Sequence, residues 1–131
     1  MDRVIKFRAK RDSDINKDWV YGVPVPNFAD EGWLLTPEGT CIHVEVNTLC
    51  EYTGVSDEND VEIYEGDIVY CYSNSFRMPM GNMVVIFVGG SFRLVPYYDY
   101  LHPGEQKMVS DYPVWRFVKT VKGNIFNAEE T

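Results

Sequence analysis

From Asp18 to Phe76 the chain contains no lysine and no arginine. The same stretch carries Asp18, Asp30, Glu31, Glu38, Glu45, Glu51, Asp57, Glu58, Asp60, Glu62, Glu65 and Asp67. Nucleic-acid affinity comes mainly from Lys and Arg neutralising phosphates, so this composition disfavours direct nucleic-acid binding. Other absences narrow the field further. No apolar run approaches the ~20 residues that cross a bilayer, so no membrane-spanning helix is expected. The opening MDRVIKFRAKRD lacks the apolar core of a signal peptide, and the expected location is the cytoplasm. Cysteine is scarce and odd in number: Cys41, Cys50 and Cys71. That count, in such a compartment, argues against a disulfide framework, and each is expected as a small apolar filler on a strand. No segment has the apolar spacing of a helix of three turns. No G-x-S-x-G, no Cys with a paired His and no Ser–His–Asp set stands out, so no catalytic residue is assigned.

What is present reads as strand. The 131 residues are 45% hydrophobic and 15% aromatic, enough for one domain or two small subdomains sharing a core. Val4–Ala9 alternates, with Ile5, Phe7 and Ala9 inward and Val4, Lys6 and Arg8 on a polar outer side. Asp and Asn before Trp19 mark a turn, and Trp19–Val23 is expected to pair back as a hairpin. Pro24 and Pro26 end that pairing, and Asn27–Gly32 reads as loop. Trp33–Thr36 and Cys41–Val46 are the next two strands. Ser73–Gly81 reads as loop, Met83–Val88 and Ser91–Val95 as a hairpin about Gly89-Gly90. Pro96–Pro113 reads as irregular, Trp115–Val121 as a last strand, and Lys122-Gly123-Asn124 as a turn. The fold class is therefore all-β with little helix. Residues 1–48 form an N-terminal β-hairpin subdomain and 49–131 a second subdomain, or the two make one continuous domain.

Tyr52–Tyr72, YTGVSDENDVEIYEGDIVYCY, is the densest stretch. Thr53-Gly54 is expected to reverse the chain, and Asn59-Asp60 to set a tight hairpin and its register. Tyr52 and Tyr64 are placed to pack across that hairpin. Gly66 supplies a bend, Asp67 bonds the turn's N–H groups, and Ile68–Tyr72 follows as a buried strand. All of these read as folding devices.

Metal chemistry is the first rival. Cys41 and His43 share a strand face, and Cys50, Cys71 and His102 are available, but the close pairs of a structural zinc site are missing. The carboxylates Asp57, Asp60, Glu62, Glu65 and Asp67 fail the EF-hand spacing, because Val61 stands where an oxygen ligand is required. Neither cofactor nor metal is assigned. The best binding candidates are Lys6 and Arg8 on the basic first strand, and the aromatic segment of Tyr97, Tyr98, Tyr100, Tyr112 and Trp115.

IKFRAK near the start, TLCEYTGVSDENDVEIYEGDIV in the middle and KGNIFNAEE near the end occur in that order. Together they resemble the YopX family of small phage and prophage proteins. The resemblance implies a β-rich protein with an SH3-like small barrel in its C-terminal part, a tendency to self-associate, and no particular activity. Two departures stand out. This chain has Asn59-Asp60 where the family has Asn-Gly, and Glu58 and Val61 where it has lysines.

The expected function is therefore a non-enzymatic interaction protein of phage or prophage origin, working in the bacterial cytoplasm. Its expected partners are further copies of itself, as a homo-oligomer, or a host or phage protein. The net charge of −8 has two readings. One is a solvated acidic face; the other is self-complementarity, in which Arg3, Lys6, Arg8, Lys10 and Arg11 meet the acidic middle. The alternative function is a nucleic-acid-associated accessory protein, or an acidic DNA mimic acting on a host protein. A metal-dependent hydrolase is more distant.

Overall fold

A computed structural model describes residues 6–13, 17–102 and 117–126. The chain divides into two compact units, Met1–Tyr52 and Thr53–Thr131. Strands dominate both. The helices α1 (Phe28–Glu31) and α2 (Tyr97–Leu101) are four and five residues long.

The first unit is a meander. β1 (Phe7–Lys10) pairs antiparallel with β2 (Trp19–Pro24), in register Arg8↔Tyr21 and Lys10↔Trp19. β2 pairs with β3 (Trp33–Leu35), and β3 with β4 (Cys41–His43). On its other side β1 meets the start of β5 (Cys50–Ser56), with Arg8 opposite Cys50. Ala9, Val20, Leu34 and Val44 are buried together on the inner face, with Phe28, Ile42 and Leu49 packed against them. This inner face leaves no room at Gly22, where a Cβ would lie 2.1 Å from the Leu35 carbonyl oxygen. Thr48 ties β1 to the 3-10 turn Val46–Thr48: its Oγ1 accepts from Lys10 N at 2.8 Å and donates to Glu45 O at 2.7 Å.

Two expectations for this unit change. Asn27–Gly32 is not plain loop. It contains α1, entered at Asn27 (φ 67°) and left at Gly32 (φ 72°), both in the left-handed region that Asn and Gly tolerate. Arg8 lies on the face opposite Ala9, as alternation requires, but it is only 7% exposed. β1 is flanked on both sides, by β2 and β5, and the Arg8 guanidinium lies 4.1 Å from the centroid of the Trp19 ring. The long stem and planar head cover that ring instead of reaching into water.

In the second unit β5 continues to Ser56 and is followed by β6 (Glu62–Tyr64). A four-stranded antiparallel sheet then runs in the order β10-β7-β8-β9, from β7 (Asp67–Ser73), β8 (Met78–Val88), β9 (Ser91–Pro96) and β10 (Val118–Asn124). Its core is Ile63, Val69, Cys71, Met83, Val85, Leu94 and Val118. Burial alone pushes the Cys71 thiol up to about 12. The strands make two antiparallel sheets, and neither is closed among the described residues, so the SH3-like barrel implied by the resemblance is not seen.

Local corrections follow from backbone geometry. Thr53-Gly54 does not reverse the chain; both sit inside β5, where Gly54 takes φ 90°. β8 begins at Met78, within the stretch read as loop. Pro79 enters the strand opposite Tyr72, beside a register shift between Cys71 and Tyr72. A bulge of this kind tolerates a residue without an N–H. The stretch from Pro96 opens with α2 instead of irregular chain. Lys122-Gly123-Asn124 stays in β10, with Gly123 opposite Ile68 and Asn124 opposite Asp67 after another register shift at Lys122. Cys50 and Cys71 are buried as expected of fillers, whereas Cys41 is exposed.

Candidate functional site

The Tyr52–Tyr72 stretch is organised by a carboxylate that spacing alone did not single out. Asp57 Oδ1 accepts from the N–H groups of Asn59 at 2.8 Å and Val61 at 2.9 Å. Its Oδ2 accepts from Val121 N at 2.8 Å, on β10. Asp57 N donates to Val61 O at 2.8 Å and Asp60 N to Asp57 O at 3.1 Å, which closes the hairpin. Asp60 takes φ 63°, a left-handed position that Asp tolerates in place of Gly. Asn59-Asp60 thus does form the tip, with Asp57 as its anchor. Burial pushes the Asp57 pKa up, but the three N–H groups of Val121, Val61 and Asn59 outweigh it and hold the carboxyl below its usual value.

The other motif residues are occupied in the same way. Thr53 Oγ1 donates to Ile63 O at 2.8 Å and accepts from Val55 N at 3.2 Å. Asp67 is fully buried and its Oδ2 accepts from Tyr64 N at 2.8 Å, as the sequence led us to expect of a turn-bonding carboxylate. Gly66 (φ 87°) donates to Val85 O at 2.8 Å and accepts from Ile125 N at 2.9 Å. Tyr64 is buried, its hydroxyl donating to Glu62 Oε1 at 3.2 Å. Tyr52 belongs to the first unit, where Lys6 Nζ stands 4.8 Å from its ring centroid. The carboxylates of Asp57 and Asp67 are directed at backbone N–H groups, which is structural chemistry.

The metal candidates are dispersed. His43 Nδ1 lies 2.8 Å from Asp12 Oδ2, and its ring is 5.1 Å from that of Trp33. The Cys50 thiol donates to Thr48 O at 3.2 Å. His102 stacks on Tyr98 at 4.0 Å, with Nδ1 2.8 Å from Tyr98 O. Among the described residues no group of three or more His, Cys, Asp and Glu could hold a metal ion.

Of the interface candidates, Arg8 is buried and Lys6 half-buried over Tyr52. On α2, Tyr98 and Leu101 are well exposed, Tyr100 less so, and Tyr97 is half-buried. Tyr112 and Trp115 lie outside the described residues. A further surface went unnoticed in the sequence. Tyr21 and Val23 on β2 and Trp33 and Leu35 on β3 all face away from the inner core, each 37–44% exposed. The pairings Val23↔Leu35 and Trp33↔His43 join them into one outer face. The signal was there in Trp19–Val23 and Trp33–Leu35, which are apolar on both faces instead of one.

At one edge of this face, Lys10 Nζ stands 4.6 Å from the Trp19 ring centroid, the same ring that Arg8 covers. Lysines and arginines of the first unit also meet its acids, through Lys17–Glu45 at 2.7 Å and Arg11–Asp18 at 2.9 Å. No helix among the described residues is long and apolar enough to cross a membrane.

Comparison with curated proteins gives no match. The family model described as YopX protein matches residues 6–128, nearly the whole chain and all three segments on which the resemblance rested except their outermost residues. The chain belongs to the YopX family.

Proposed function

We propose that this chain is a non-enzymatic interaction protein, of phage or prophage origin, that assembles with copies of itself in the bacterial cytoplasm. The observation that carries this reading is the outer face of the first unit's sheet. Tyr21, Val23, Trp33 and Leu35 stand exposed side by side on it. Contiguous apolar patches rimmed by polar residues mark interaction surfaces, and Trp and Tyr dominate the energetics of such surfaces. The exposed Tyr98, Tyr100 and Leu101 on α2 offer a second contact. Light scattering over a range of protein concentrations should report a mass above that of the 15.1 kDa chain. A strict monomer at high concentration and low salt would sink the proposal.

A second reading is an acidic mimic of DNA acting on a host protein, or another accessory role beside nucleic acid. The exposed acids Glu58 and Asp60 at the hairpin tip favour it. Affinity capture from host cells, with and without Glu58→Lys, tests this: a DNA-binding host protein retained only by the unmodified chain supports the mimic.

A further inference from the structure

The outer face of the first unit differs from the rest of the chain in charge. By the strand register, β1 contributes Arg8 and Lys10 to it, β2 contributes Trp19, Tyr21 and Val23, and β3 contributes Trp33 and Leu35. None of these positions is a carboxylate, in a chain with 20 Asp and Glu and a net charge of −8. Beyond Lys10 the strand ends, and the acid that comes up to the face, Asp12, is engaged with His43 at 2.8 Å. The face therefore has an aromatic and aliphatic centre with a cationic edge. Its complement is an acidic surface with an apolar residue at its middle.

The hairpin tip of the second unit has that composition. Val61 is 47% exposed. Glu58, Asn59 and Asp60 precede it, all exposed, and Glu62 follows, half-buried; Glu58 Oε2 lies 3.6 Å from Lys119 Nζ yet its side chain stays 54% exposed. The tip is also stiff, because Asp57 anchors it through three N–H groups. A preorganised loop loses little conformational entropy on docking.

We infer that the Glu58–Glu62 tip of one copy docks on the Tyr21–Trp33 face of a second copy. Val61 meets the apolar centre, and the tip carboxylates meet Lys10 and Lys6. Two identical outer faces laid against each other would oppose cation to cation, so pairing between unlike patches is favoured. Contacts between unlike patches close reciprocally in a pair, propagate around a ring, or extend as an open filament where the rotation does not close. The inference rests on the self-association proposed above and names the surfaces that perform it.

Charge exchange tests it. Lys6→Glu with Lys10→Glu on the face, or Glu58→Lys with Asp60→Asn at the tip, should each weaken association about tenfold or more in sedimentation velocity. Asp60→Asn keeps a residue that accepts positive φ. Mixing the two variants should recover part of the lost association, since each supplies the patch the other lacks. Trp33→Ala should weaken association to a similar extent while leaving its salt dependence unchanged. Far-UV circular dichroism and urea melts would establish that the variants stay folded. If the unmodified chain is monomeric, self-association itself fails. If it assembles and both double variants assemble equally well, the docking pair is overturned while self-association stands. Loss of assembly only on Tyr98→Ala with Leu101→Ser would overturn it too, and assign the contact to α2.

Discussion

Both units hold cations near aromatic rings, in the second Lys119 by Tyr72 and Lys122 by Tyr70, each at 5.9 Å, but they differ in how closely those cations sit and in what their carboxylates do. In the first, cations lie over aromatic rings: Arg8 and Lys10 over Trp19, and Lys6 over Tyr52. In the second, Asp57 and Asp67 turn inward and accept from backbone N–H groups, Asp57 from those of Asn59, Val61 and Val121 and Asp67 from that of Tyr64. The energetic consequences differ. A half-buried lysine over a ring, as Lys6 and Lys10 are, contributes about 1 kcal/mol, and water replaces it more readily than it would the buried Arg8. An N–H deprived of its acceptor costs ~1–3 kcal/mol where water does not reach it, and less at the exposed Asn59 and Val61. Stability of the second unit should therefore depend on Asp57 more than that of the first depends on Lys6 or Lys10.

Asp57→Ala breaks this contrast most directly. It removes the acceptor from the N–H groups of Asn59, Val61 and Val121, of which the first two can turn to water, and should destabilise by about 2–3 kcal/mol. A urea midpoint lowered at constant slope would report this; a change under about 1 kcal/mol would mean the hairpin is held by its backbone bonds alone. The same group sets a pH dependence. Its folded pKa lies below its usual value, so the unfolded chain takes up the proton first as pH falls. The Asp57 contribution is complete above about pH 5 and is lost as pH drops through the ordinary aspartate range near ~4 and below. Melts from pH 7 to 3 should show that loss, and Asp57→Asn should flatten it.

The first unit has its own vulnerable point in packing. Gly22→Ala would drive a Cβ to 2.1 Å from the Leu35 carbonyl oxygen, a backbone atom that cannot swing aside. A cost of about 2–3 kcal/mol is expected, seen in the same urea experiment. The smallest effect sharpens the contrast. Lys10→Met keeps the apolar stem on Trp19 and deletes only the charge, so it should cost about 1 kcal/mol or less. A cost comparable to that of Asp57→Ala would erase the distinction between the units.

Much of the fold was legible in the residues. The alternation in Val4–Ala9, the Gly89-Gly90 turn and the apolar run Met83–Val88 became β1, the β8–β9 turn and the core of β8. These are local signals, carried by a period of two and by turn chemistry. The errors sit where partners distant in sequence override local preference. Pro79 suggested loop, yet the bulge opposite Tyr72 admits it to β8. Gly123 suggested a turn, yet β7 holds it in β10. Thr53-Gly54 suggested a reversal, yet the Thr53 hydroxyl bonds the Ile63 carbonyl and the strand continues.

The candidate site was legible only in parts. Arg8 looked like a surface cation because alternation reports which face a residue is on and is silent about how deeply that face is covered. A central strand and the Trp19 ring decided its burial. Asp57 looked like one acid among many in SDEND. Its special role depends on Val121, 64 positions later in the chain, whose N–H it accepts.

By itself the sequence determined the all-β class, the family, the acidic tip and the long interval without Lys or Arg. These depend on residue type, on neighbours a few positions apart, and on motif order along the chain. Only the tertiary structure decided that Asp57 anchors that tip as a backbone acceptor, that neither sheet closes among the described residues, and that four apolar side chains share one outer face. Those outcomes depend on strand register, which brings together residues that sequence spacing keeps apart.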